Sequence, residues 1–88
     1  MSNTNQVLLE VLPRIQEAFK ATFEIDPQFV TAETSAGNIP GWNSLGHLSL
    51  TTQLEQTFGI TFDVDELMEM ENVREIVRIV SAKLSGKA

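Results

Sequence analysis

Eighty-eight residues, 42% of them hydrophobic and 20% charged, describe a single globular domain over residues 1–88 with one modest core. Twelve acidic side chains against six basic ones give a net charge of −6, which excludes a nucleic-acid partner held by its phosphates and favours basic proteins. With no cysteine and one histidine there is no material for disulfides, thiolate nucleophiles, metal sites or a hydrolytic triad, so no catalytic residues and no autonomous enzyme are expected.

The opening Met-Ser-Asn-Thr-Asn-Gln has no basic region, and the apolar run Val7, Leu8, Leu9 breaks at Glu10. Neither a signal peptide nor a membrane span is expected, and the cytoplasm is the default compartment. From about Thr4 to Thr22, Leu8, Leu12, Ile15 and Phe19 recur at helical spacing and define the core face of a first helix. Pro13 interrupts it, so the helix either kinks there or has its stable part start there, with proline in the first turn.

Periodicity vanishes from Phe23 to Asn43, where Asp26-Pro27, Thr31, Thr34-Ser35, Gly37-Asn38 and Pro40-Gly41 supply turn chemistry. This long loop should reach the core through Ile25, Val30 and Ile39, and Asp26 before Pro27 can start one helical turn. Trp42 is expected to pin the loop against the core.

A second helix runs from about Ser44, capped by Asn43 or Ser44, to Phe58, where Gly59 suits a left-handed cap. At 100° per residue Leu50, Leu54 and Phe58 form its core stripe, with His47 and Thr51 beside them. Leu45, Leu48 and Thr52 face away. Either the loop covers these leucines or they form an apolar docking spot beside Ser44, Leu48 being the stronger candidate for exposure. Ser44 reads first as a cap, but its hydroxyl, near the positive end of the helix, would also suit a phosphate diester.

A short third helix is announced by Asp63 and Glu66 in a capping-box arrangement and ends by Met70. Asn72 and Glu75 repeat the arrangement, and Val73, Ile76, Val77, Val80 and Leu84 give an amphipathic fourth helix that ends before Gly86. Residues 85–88 should fray as a flexible tail. The fold class is therefore all-α, four helices with a long connection between the first two.

The stretch Gly-Trp-Asn-Ser-Leu-Gly-His-Leu-Ser-Leu-Thr-Thr-Gln-Leu-Glu-Gln-Thr-Phe-Gly-Ile, residues 41–60, resembles the central helix of an acyl carrier protein. Asn43-Ser44-Leu45 stands where that family has Asp-Ser-Leu, and the resemblance extends over about residues 14–84. It implies a four-helix bundle with 4′-phosphopantetheine on Ser44, added from coenzyme A by a magnesium-using phosphopantetheinyl transferase. Acyl or aminoacyl groups would ride on it as thioesters, delivered by a monomer to acyl-activating ligase, synthase or acyltransferase enzymes of fatty acid, polyketide, nonribosomal peptide or specialised lipid synthesis.

In that reading Leu50, Leu54, Phe58, Ile60, Phe62, Ile76 and Val80 line the space for an acyl chain, although each would be core in any case. The partner surface would comprise Asn43, Leu45, Leu48, Thr52, Glu55, Asp63, Asp65, Glu66 and Glu69, facing basic docking surfaces. Asn43 lacks the charge expected to help the transferase and its magnesium. Acid is also displaced from the second helix, which keeps only Glu55, to the span Asp63–Glu75, which holds six of the twelve carboxylates. The alternative is an unmodified protein-interaction module that keeps the carrier fold.

Overall fold

The computed structural model describes residues 4–85, with side chains described from residue 10 onward. The helices are α1 (Thr4–Phe23), α2 (Ser44–Phe58), α3 (Val64–Glu69) and α4 (Val73–Ser85). No helix among the described residues is long and apolar enough to cross a membrane.

α1 neither begins at Pro13 nor ends there, because it continues through the proline. Pro13 sits at an exposed position, where the backbone hydrogen bond that proline cannot donate is tolerated more easily than in the core. Ile15 and Phe19 are fully buried as the spacing requires, Val11 and Ala18 join them, and Leu12 packs at the margin; Leu8 lies outside the described side chains.

The connection between α1 and α2 contains two single turns of 3₁₀-helix, Pro27–Phe29 and Ala36–Asn38. Asp26 starts the first, its carboxylate accepting the Gln28 amide N–H at 3.1 Å. Val30, Ile39 and Trp42 are buried and Ile25 is partly buried, so the anticipated anchors do reach the core. The far side of the loop is tied to the α3–α4 junction. The Val73 amide donates to Thr34 O at 2.8 Å and the Ala36 amide to Glu71 O at 3.3 Å. Gln16 on α1 closes the opposite side, donating from Nε2 to Val30 O at 2.7 Å.

α2 starts on Asn43, whose Oδ1 accepts the Gly46 N–H at 3.0 Å, and stops on Gly59, where φ is 68° and the absence of a Cβ makes the left-handed turn cheap. Gly46 is glycine for another reason. A Cβ there would run into the Gly41 carbonyl oxygen, so the loop can lie against the first turn of α2 only if that position is bare.

In α3 the Glu66 carboxylate accepts the Asp63 N–H at 2.8 Å, and in α4 Asn72 Oδ1 accepts the Glu75 N–H at 2.8 Å. Val73, Ile76, Val77, Ile79 and Val80 of α4 are buried. Leu84, expected on that face, is instead 39% exposed, because it lies one turn beyond Val80, the last buried residue of the helix. Ser85 is the last helical residue of α4 rather than part of a frayed tail; residues 86–88 lie outside the described part.

Candidate attachment site and groove

Ser44 is the first residue of α2 and is exposed. Asn43 does the capping, through its side chain to Gly46 and through its carbonyl, which accepts the His47 N–H at 2.7 Å. The Ser44 hydroxyl is thereby released from the duty a serine at a helix start usually performs, and among the described residues it forms no hydrogen bond. It stands free at the positive end of a fifteen-residue helix, an electrostatic setting that fits a phosphodiester.

Beside it opens a mainly apolar groove of about 590 Å³, with Trp42, Ser44 and Leu48 on one side and Val64, Leu67 and Met68 on the other. Met70 and Glu71 close its end. Sequence reasoning did not anticipate this groove, because one of its walls comes from α3, whose six residues are too few for periodicity to orient.

His47 holds the two walls together. Its Nδ1 accepts the Trp42 indole N–H at 2.8 Å, and its Nε2 stands 2.9 Å from Leu67 O, so Nε2 carries the proton and donates to that carbonyl. Both ring nitrogens are occupied, which leaves neither aimed at the Ser44 hydroxyl and excludes the base that a serine nucleophile would need. Trp42 is buried edge-on against Phe19, with ring centroids 5.0 Å apart, and so carries the bridge down to α1.

The residues expected to line an acyl chain divide. Leu50, Leu54, Ile76 and Val80 are fully buried core; Phe58, Ile60 and Phe62 are partly buried against it, and none of the seven lines the groove. Those expected on the partner surface divide as well. Asn43, Leu45, Leu48, Thr52, Asp63, Asp65 and Glu69 are exposed. Glu55 is half-buried, and its Oε2 accepts the Phe62 N–H at 2.9 Å, bracing the turn after α2 instead of standing free for a partner. Glu66 is bonded to the Asp63 amide and pairs with Lys83 at 3.1 Å, and Glu69 pairs with Arg78 at 3.0 Å. The Asp63 amide, followed by Lys83, holds the Glu66 carboxyl below its ordinary pKa, against an opposing push from burial.

A family profile described as a phosphopantetheine attachment site matches residues 13–80. The acyl carrier protein of Petrotoga mobilis is 29% identical over 76 residues, spanning 86% of this chain and 89% of that protein. That of Coprothermobacter proteolyticus is 24% identical over 78 residues, spanning 89% and 95%. The backbone is similar to the solution NMR structure of the holo acyl carrier protein from Geobacter metallireducens, with a TM-score of 0.77 and 36% identity over 86% of this chain and 87% of that one. An all-α bundle, a serine with a free hydroxyl at the start of its second helix, and these three kinships agree: the chain belongs to the acyl carrier protein family of phosphopantetheine-bearing carriers.

Proposed function

We propose that Ser44 is the attachment point of 4′-phosphopantetheine and that the chain, as a cytoplasmic monomer, delivers acyl or aminoacyl thioesters to partner enzymes without catalysing any step itself. The observation that carries this reading is the free, exposed Ser44 hydroxyl at the positive end of α2, made available because Asn43 does the capping. When bound, the arm supplies the thiol that a chain without cysteine lacks. Ser44 and the first turn of α2 hold its phosphate end, and the groove walled by Trp42, Leu48, Leu67 and Met68 offers apolar cover beside it. Fatty acid, polyketide, nonribosomal peptide and specialised lipid synthesis all use such a carrier, and synthase, ligase and acyltransferase enzymes of those routes are its partner class.

Incubation with coenzyme A, magnesium and a broad-specificity phosphopantetheinyl transferase should add one phosphopantetheine to the intact mass, and Ser44→Ala should abolish the gain. Equal labelling of the alanine variant overturns the assignment of Ser44; absence of labelling in the unaltered chain supports an unmodified interaction module instead. Asn43→Asp restores a carboxylate beside the serine and should speed labelling.

A further inference from the structure

Histidine is the side chain whose charge ordinarily changes between about pH 5 and 8, and this chain places its single one at the joint between the two walls of the groove. We propose that His47 is a proton-operated latch: neutral, it ties Trp42 of the loop to Leu67 of α3, and protonated in mild acid it lets go and releases the α3 wall.

The closed bridge uses the two ring nitrogens in opposite senses. Nδ1 accepts the Trp42 indole N–H at 2.8 Å while Nε2 donates to Leu67 O at 2.9 Å, and only a neutral imidazole offers one acceptor and one donor. A proton added at Nδ1 sets two N–H groups against each other. Trp42 is 5% exposed and wedged edge-on against Phe19, so its indole has no path to water for another acceptor. The half-buried imidazole has to yield instead. Because the ring is one rigid plane, turning Nδ1 away from the indole also takes Nε2 away from Leu67 O. The closed bridge excludes a proton that the open ring accepts, so falling pH favours the open form.

Little else resists the release. α3 buries none of its six residues, and its ion pairs to α4, Glu66 with Lys83 and Glu69 with Arg78, are of the exposed kind that adds little stability. The charge around the ring favours opening. Neither α1 nor the loop presents a charged group to the groove, and from α2 only neutral residues join His47 there. Glu71, at the α3–α4 junction, is the one carboxylate that lines it, on the side toward which an imidazolium would turn. Of the acids on and just before α3, Glu66 and Glu69 already have cations, and Asp63 and Asp65 are exposed. In its bearing on cargo the latch rests on attachment at Ser44: it decides how well the groove covers what the arm carries, shut near neutrality and open on one side in mild acid.

The test is an NMR titration of the unmodified full chain from about pH 8 to about pH 5, in which one histidine and one tryptophan give single ring and indole signals. The His47 ring, the Trp42 indole N–H and the Leu67 and Met68 amides should shift with one common midpoint, while the Ile15 and Phe19 amides stay still. Across it, protection of the α3 amides, corrected for the intrinsic pH dependence of exchange, should fall about tenfold. His47→Gln, which keeps an acceptor and a donor but takes up no proton in this range, should hold the Trp42 and α3 signals constant. The same α3 transition in His47→Gln would hand it to the carboxylates and overturn the latch. So would a ring that titrates without moving Trp42 and α3, or one that takes no proton down to about pH 5. The titration precedes modification, so its failure strikes the latch alone, whereas failure of transferase labelling strikes attachment at Ser44 alone.

Discussion

The loop between α1 and α2 and the helix α3 face each other across the groove beside Ser44, and they are held by opposite means. The loop is fixed by burial: Val30, Ile39 and Trp42 enter the core, and Trp42 packs against Phe19. α3 buries none of its six residues. It is held by the Leu67 carbonyl on His47, by Glu66 on Lys83 and by Glu69 on Arg78, with Met70, just past its end, as the neighbouring apolar anchor. Apolar burial is insensitive to salt and acid over the range in which hydrogen bonds and ion pairs are not. One wall of the groove is therefore rigid and the other adjustable, and openings of low free energy should concentrate in α3.

The largest break in this contrast should come from the rigid wall. Trp42→Ala removes a buried indole and should cost about 3–5 kcal/mol of global stability, read as a lower midpoint of urea unfolding at unchanged slope. A loss below about 1 kcal/mol would mean that the loop is not pinned by this residue. His47→Ala should cost about 1–3 kcal/mol, since it orphans the Trp42 N–H and releases Leu67 O. Its signature is local: hydrogen exchange should quicken at the α3 amides and leave Ile15 and Phe19 protected, whereas uniform acceleration would make His47 an ordinary packing residue. His47→Gln, which keeps an acceptor and a donor, should recover much of the protection.

The smallest effect concerns acid. The Glu66 pKa is lowered in the folded chain, first by the Asp63 amide, so its ionised form adds stability above the ordinary glutamate range and loses it as pH falls through the lowered value. Protection of the α3 amides should decline as pH falls below the ordinary glutamate range, and Glu66→Gln should remove that step. If the variant keeps the same acid transition, another carboxylate is responsible.

Legibility in the sequence followed the same division. The start and end of α2, the onsets of α3 and α4, and the turn after Asp26 were readable because each rests on a cap within three residues of the boundary, as Asn43, Gly59, Asp63 and Asn72 illustrate. Trp42, Val30 and Ile39 were readable as apolar residues in a polar stretch. Of the two readings offered for Pro13, a start of the helix there fails, since α1 begins nine residues earlier and this proline occupies an exposed position of its interior. The bridge through His47 was invisible, since it joins that ring to a carbonyl twenty residues further along the chain. The acids of α3 read as free for the same reason: Arg78 and Lys83 lie nine and seventeen residues beyond Glu69 and Glu66. Local signals therefore recovered the elements, Ser44 stood out only through the family resemblance, and the groove and its charge balance depend on partners distant in sequence.

The chain contains one tryptophan and no tyrosine, and that tryptophan donates its N–H to the only histidine on the wall of the groove. Nearly all of its near-ultraviolet emission must then originate from a single indole placed beside Ser44. Whatever enters the groove, or loosens α3 from His47, should alter the intensity and wavelength of that emission. The molecule thus carries its own optical probe, able to follow loading and unloading in real time without a dye.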